Sequence, residues 1–210
     1  MPLFNTKSFL RQEQYFALQK LKVDGEILDV GGSKKSGYLE LIGGNHTVVV
    51  GNIDPSYGID IVFDAEKTWP FANGRFDCVL FINLMEHLFD YHTALREAHR
   101  VLKPGGKIVG VVPFMFPVHG SPSDYFRFTS FALDRILKNA NFHHPIVEEL
   151  GTGSFSVIYH TLIGFVRWNW LVRPLIWLSR KCDGFLIFLK KNNKMSSKLM
   201  PLGYYFEATK

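Results

Sequence analysis

Residues 26–41, EILDVGGSKKSGYLEL, restrict this chain more than any other stretch. Glu26 to Val30 predict a short buried strand, and Gly31-Gly32 follow at once, before a run able to open a helix. A strand that ends in an acid and a glycine turn lets a nucleotide-like ligand approach backbone N–H groups at the start of the next helix. Here the acid is Asp29 and the turn is Gly31, Gly32 and Ser33. Strand–glycine–helix turns also arise for structural reasons alone, so the remainder of the chain has to decide.

The pattern repeats downstream. Residues 7–22 place Phe9, Leu10, Tyr15, Phe16, Leu18 and Leu21 at spacings suited to a helix with one face on a sheet. SGYLELIGG predicts a short helix stopped by Gly43-Gly44, HTVVVGNID a second strand ending in Asp54, and GIDIVFDA a third ending in Asp64-Ala65. A fourth strand runs through Cys78–Ile82 and exits at Asn83; Asp90 caps the helix after it, which KPGG at 103–106 stops. KIVGVVPF is a fifth strand. Thr129 or Ser130 caps a further helix, and HHPIVEELG and PLGYYFEAT predict two last strands. Strands alternating with helices predict an α/β fold, a parallel sheet covered on both faces.

Two function classes are disfavoured by composition. The formal charge of +5 is spread without a dense basic tract, so nucleic acid is not an expected partner. Cys78 and Cys182 form neither a CxxC pair nor a disulfide framework, and no metal-ligand spacing stands out. Cys78, inside an apolar strand, predicts a small core residue. MPLFNTKSFLRQEQ lacks the apolar core of a signal peptide, so a reducing cytoplasm is the expected compartment.

Three strand ends thus offer Asp29, Asp54 and Asp64, and a fourth offers Asn83. In a doubly wound sheet such ends converge on one crevice. A carboxylate after the second strand suits a ribose diol, since it accepts two hydroxyl hydrogen bonds at once. One near the third suits an exocyclic amino group.

ILDVGGS, then GNIDPSYGIDIVFDAEKTWPFANGRFDCVLFINLMEHLFD, then ALREAHRVLKPGGKIVGVVPF resemble, in order and spacing, the motifs of class I S-adenosylmethionine-dependent methyltransferases, over about residues 24–140. The resemblance, closest to the type 11 group, implies a Rossmann-like seven-stranded sheet with an antiparallel final strand, in a single methyltransferase domain over 1–210. It implies S-adenosylmethionine as cofactor, with Asp29, Gly31, Gly32 and Ser33 at the methionine end, Asp54 on the ribose, Asp64 and Ala65 at the adenine, and Asn83 on the sulfonium side. The family rhythm G-x-G-x-G is altered: its positions fall on Gly31, Ser33 and Lys35, with Gly32 adjacent.

Methyl transfer asks the protein mainly to hold a nucleophile in line with the sulfonium methyl, and a base is needed only if the acceptor must lose a proton. Base and anchor candidates follow the fifth strand in HGSPSDYFRFT: His119 as base, Arg127 as a fork for an anionic group, with Asp124 and Tyr125 between them. The bland alternative is an Asp124–Arg127 pair that pins the loop. His87 is the reserve base. The same loop is similar to one in bacterial methyltransferases of polysaccharide and lipopolysaccharide biosynthesis, which implies a glycan or glycolipid hydroxyl as acceptor. A quinone or other small hydrophobic acceptor is the enzymatic alternative, and a non-catalytic partner subunit the other.

Residues 152–200 separate the last two strands and are expected to form a helical insertion. SFSVIYHTLIGFV, 154–166, carries no formal charge but spans only about 20 Å as a helix, short of a bilayer core. Pro174 is expected to break or kink the run that follows. On a helical wheel Asn169, Arg173 and Arg180 share one side and Trp170 and Trp177 another. Trp and cations at apolar margins suit an interfacial segment. Two readings follow for 154–190: a lid over the site, or, preferred here, a surface that places the enzyme peripherally on the inner membrane face.

Overall fold

A computed structural model describes residues 8–120, 122–162, 169–189 and 200–210. The elements are α1 (Phe9–Leu18), β1 (Gly25–Val30), β2 (His46–Asn52), β3 (Ile61–Val62), β4 (Phe76–Ile82), α2 (Tyr91–Val101), β5 (Leu102–Pro113), α3 (Ser130–Asn139), β6 (His143–Thr152), α4 (Ser154–Leu162), α5 (Asn169–Leu189) and β7 (Pro201–Thr209). The strands make one seven-stranded sheet in the order β3-β2-β1-β4-β5-β7-β6. The first five strands are mutually parallel, and β7 runs antiparallel to both β5 and β6. Chain order reverses between β1 and β4, which opens a crevice at the carboxyl ends of the strands there.

The side-chain period of two in a strand sorts the sheet into two apolar layers. Leu28, Val79, Phe81 and Ile108 face α2 and α3, where Leu95, Ala98, Leu133 and Leu137 close the layer. Ile27, Leu80, Val109 and Val111 face the opposite way and meet Phe9 and Leu18 of α1, with Tyr159 of α4 and Ile176 of α5. Cys78 lies in this second layer, fully buried, and burial pushes its thiol up to about 12. It is a core residue.

The caps read from sequence are present. Asp90 accepts from the Thr93 amide at 3.1 Å and Thr129 from the Ala132 amide at 3.2 Å. Three expectations change. The helix expected over SGYLELIGG is only a 3₁₀ turn at Leu39–Leu41, because Tyr38 turns inward and Gly43 leaves to bridge Lys22. The third strand is two residues long, since the Asp60 carboxylate takes the Val50 amide at 2.9 Å and the chain turns at Asp64 through the Glu66 amide. KPGG does not separate helix from strand; it forms a bulge inside β5, where the register against β4 jumps from Phe76↔Leu102 to Cys78↔Lys107.

In the insertion, α4 and α5 pack on each other and on α1, with the Tyr159 and Phe9 rings 6.0 Å apart. The helix α5 does not break at Pro174, which lies in its second turn, where one intrahelical bond is lost. From α5 the buried Asp183 carboxylate caps the start of α4, accepting from the amides of Phe155 and Ser156, both at 2.9 Å, and from the Ser156 hydroxyl. The side chains of Asn169, Trp170 and Arg173, with Trp168 and residues 163–166, lie outside the described residues. Among the described residues no helix is long and apolar enough to cross a membrane.

Candidate functional site

A cavity of about 730 Å³ opens at the carboxyl ends of β1, β2 and β4. From β1 come Val30 and Gly31, from β2 Gly51 to Asp54, after β3 the run Phe63 to Glu66, and after β4 Asn83 and Leu84. The far side is made by His87, Leu88 and the loop residues Pro122, Ser123 and Tyr125.

Glycines set the floor. Gly31 sits at φ +74°, where a side chain is strained and a Cβ would strike Leu84. A Cβ on Gly51 would lie 2.1 Å from the Phe63 ring, so the missing side chain is what lets that ring pack against β2. Asp54 starts the 3₁₀ turn Pro55–Tyr57: its Oδ1 accepts from the Ser56 amide at 2.8 Å, which holds the carboxyl below its usual range. The Asp54 carboxylate is exposed on the cavity wall. Asp64 accepts from the Glu66 amide at 2.9 Å and pairs with Lys67, while the Ala65 carbonyl takes the Trp69 indole N–H at 3.1 Å. Asn83 stands at φ +51°, a left-handed conformation that Asn tolerates better than most residues. Its amide forms a reciprocal pair with Gln14 of α1, at 2.7 and 3.3 Å.

A family model described as a methyltransferase domain matches residues 5–144, two thirds of the chain. The chain belongs to the class I S-adenosylmethionine-dependent methyltransferases. The methyltransferase is 34% identical over 159 residues to the ubiquinone/menaquinone biosynthesis C-methyltransferase UbiE of Haemophilus ducreyi, covering 67% of this chain and 55% of that protein. It is 29% identical over 128 residues to an uncharacterised protein of Methanocaldococcus jannaschii, covering 60% and 51%. The chain spans about half the length of the curated relatives it matches. Among solved structures, a SAM-dependent methyltransferase from Archaeoglobus fulgidus aligns with TM-score 0.58 at 17% identity, over 95% of this chain and 91% of that one. Phosphoethanolamine N-methyltransferase 2 of Haemonchus contortus, in complex with S-adenosyl-L-methionine, aligns at 0.59 and 18%, over 98% and 54%. These two share the fold.

The donor set of the cavity fits S-adenosylmethionine. An elongated cofactor with a diol, an amine and a cationic centre needs acceptors rather than cations along its length, and the cavity presents Asp54, Asp64 and Asn83. Lys34 of the glycine loop is engaged in an ion pair with Asp60, and neither it nor Lys35 lines the cavity. One buried acceptor close by has no donor among the described residues: Oδ1 of Asp29.

Of the residues expected at the site, the cavity brings together Gly31, Asp54, Asp64, Ala65, Asn83 and His87. Asp29 is not on its surface. The residue is fully buried, Oδ2 accepts from the Tyr38 hydroxyl at 2.7 Å, and burial pushes the carboxyl up to about 7. Gly32 roofs it, since a Cβ there would lie 1.8 Å from Asp29 Oδ2. Ser33 ties the glycine loop to the next turn, donating to the Tyr57 carbonyl at 2.7 Å. Nor does the cavity include His119, Asp124 or Arg127. Arg127 grips Asp124 at 2.5 and 2.6 Å and donates to the carbonyls of Phe116, Pro117 and Phe126, so its fork is fully engaged in pinning the loop. That guanidinium holds the Asp124 carboxyl far below the usual carboxylate range.

The histidine on the cavity wall is His87, whose Nδ1 lies 2.6 Å from the Ser123 carbonyl. A carbonyl can only accept, so Nδ1 carries the proton and Nε2 keeps its lone pair. Gln14, Tyr38 and Glu86 were not singled out from sequence.

Proposed function

We propose that this methyltransferase transfers the methyl group of S-adenosylmethionine to a small hydrophobic acceptor that carries a hydroxyl, of the quinol type. The observation that carries this reading is the make-up of the cavity's far wall: Leu84, Leu88 and Tyr125 offer apolar surface, and His87 Nε2 is a lone-pair nitrogen beside them. An exposed aromatic rim continues outward, with the rings of Phe89 and Tyr125 5.4 Å apart. Apolar walls with a few placed polar groups favour such a ligand. The UbiE relatives, named for ubiquinone and menaquinone biosynthesis, support the same class. The glycan acceptor expected from loop 119–129 gains no support from these relatives or from that loop, whose charged residues engage one another.

Asp54 would take the ribose hydroxyls, the Asp64–Ala65 turn the adenine, Gly31 the methionine end and Asn83 the sulfonium side, as the family resemblance implies. With S-adenosylmethionine bound, His87 would accept the acceptor's hydroxyl proton; the oxygen so activated, or a ring carbon that then gives up its own proton to restore the quinol, would bond to the methyl as the sulfonium C–S bond breaks, leaving S-adenosylhomocysteine.

The outer face of the insertion supports delivery of such an acceptor from a membrane surface. Trp177, Lys181, Phe185 and Phe188 recur along one exposed side of α5, with the Lys181 ammonium 5.8 Å from the Trp177 ring centre. Arg180, expected to face lipid, instead pairs with Glu13 at 2.5 Å and covers the Phe9 and Phe16 rings. Among the described residues none of α4 or α5 lines the cavity, which disfavours the lid.

The test is methyl transfer from labelled S-adenosylmethionine to a short-chain quinol lacking a ring methyl, beside a panel of free and lipid-linked saccharides. Label in the quinol supports the reading; label in a saccharide alone overturns it.

A further inference from the structure

Next to the cavity wall lies a group of side chains that the proposed methyl transfer leaves unexplained. Ligand atoms from Glu86, His87 and His119 all lie within 4.8 Å of one another. The Glu86 side chain is completely buried, and neither carboxylate oxygen has a hydrogen-bond partner among the described residues. Its Oε1 is 3.7 Å from His87 Nε2. The nearby cation, Arg127, is already engaged with Asp124 and three carbonyls. A buried carboxylate without donors is costly to keep, and a buried charge is found paired or on a metal.

Both histidines are oriented as metal ligands are. His87 directs Nδ1 to the Ser123 carbonyl at 2.6 Å. His119 directs Nδ1 to the Pro117 carbonyl at 3.2 Å and the Asp124 carboxylate at 3.3 Å. Each ring is thereby held by one nitrogen, with Nε2 left as the lone-pair donor, the arrangement that fixes a histidine for coordination. The two rings stand edge to face, 5.1 Å apart.

We infer that Glu86, His87 and His119 form a binding site for a divalent transition ion, of which Zn²⁺ suits the donors best, with one open coordination position toward the cavity. Two imidazole nitrogens and a carboxylate oxygen are a set that zinc takes with a fourth site left for water or substrate. Tetrahedral bonds of about 2.0–2.1 Å put ligand atoms about 3.4 Å apart, so the group closes by about 1.4 Å at its widest. His119, with its side chain 38% exposed, would supply that movement by a pivot of its ring about the Nδ1 contacts, its loop staying pinned by Arg127. Since His87 lines the cavity, a bound ion would take the acceptor's hydroxyl oxygen and ease loss of its proton to water, in place of direct transfer to His87 Nε2, which the ion would occupy. Only that last consequence rests on the proposed function; metal binding does not.

The test uses untagged full-length protein, stripped with chelator, without cofactor or acceptor. Zn²⁺ is titrated calorimetrically into wild type, His119→Ala and Glu86→Gln, and Co²⁺ is added to each for its visible spectrum. The expected result is one ion per chain, an intense tetrahedral Co²⁺ band, and affinity reduced by about 100-fold or more in both variants. His119→Ala removes a half-exposed loop side chain, so its fold can be verified by circular dichroism should Glu86→Gln fail to fold. Absence of stoichiometric Zn²⁺ binding to wild type overturns the inference, as does binding that survives unchanged in folded His119→Ala.

Discussion

The Tyr38 hydroxyl donates a 2.7 Å hydrogen bond to Oδ2 of Asp29, nine residues earlier, and both groups are buried beneath the glycine turn. The acid that ends β1 is therefore a support under the cofactor loop, not a group on the cavity surface. Its other oxygen, Oδ1, has no donor among the described residues.

This burial gives stability a particular pH dependence. Desolvation raises the folded-state pKa of Asp29 to about 7, above that of an unfolded aspartate. Between the two values the native state holds the extra proton, so stability falls as pH rises through this window, and the full cost is present above about 7. Urea unfolding at pH 5 and pH 8 should show wild type losing about 2–3 kcal/mol more than Asp29→Asn, which retains an acceptor for Tyr38 but cannot ionise. Equal slopes in the two proteins would contradict this.

Two glycines should respond in opposite ways. In Gly51→Ala the new methyl meets the Phe63 ring at 2.1 Å, so overpacking should cost about 1–3 kcal/mol and narrow the cavity. In Gly184→Ala, within α5 and with no neighbour inside 4 Å, the helix should gain about 0.5–1 kcal/mol. Thermal unfolding of both variants checks the pair.

Arg127→Ala should destabilise the protein by about 3 kcal/mol, because Asp124, 2% exposed, loses its bidentate partner and three carbonyls lose a donor. Arg127→Lys should recover only part, since an ammonium cannot reproduce the fork. Chemical denaturation measures both. A loss confined to substrate affinity, with stability unchanged, would return Arg127 to the role of anion anchor.

On the apolar face of α5, Trp177→Asp with Phe188→Asp should abolish co-sedimentation with anionic vesicles while leaving unfolding unchanged. Wild type that stays in the supernatant at low salt would remove the membrane surface from the account.

Much of the fold was legible because its signals are local. Glycine turns, caps at Asp90 and Thr129, and runs such as Cys78–Ile82 each restrict a few neighbouring residues. The strand-end acids at Asp54 and Asp64 were readable for the same reason. What was not legible depends on partners distant in sequence. Asn83 engages Gln14 across 69 positions, Asp183 caps a helix 27 residues before it, and His87 takes its tautomer from a carbonyl 36 residues on. Nothing near Asp29 indicates that Tyr38 and Gly32 will enclose it; the Asp124–Arg127 pair that pins the next loop was legible as an alternative, but not that it would leave His119 outside the cavity.

The central claim is that the cavity at the ends of β1, β2 and β4 binds the methyl donor through the strand-end acids. Calorimetric titration of S-adenosylhomocysteine into wild type and Asp54→Ala tests it most directly. Asp54 is exposed and its carboxylate contacts only the short turn it starts, at Ser56, so its removal should spare the fold while removing the acceptor for the ribose. The account predicts micromolar binding to wild type, weakened about tenfold or more in the variant. Equal affinity in two well-folded proteins, or no binding to wild type, would contradict it.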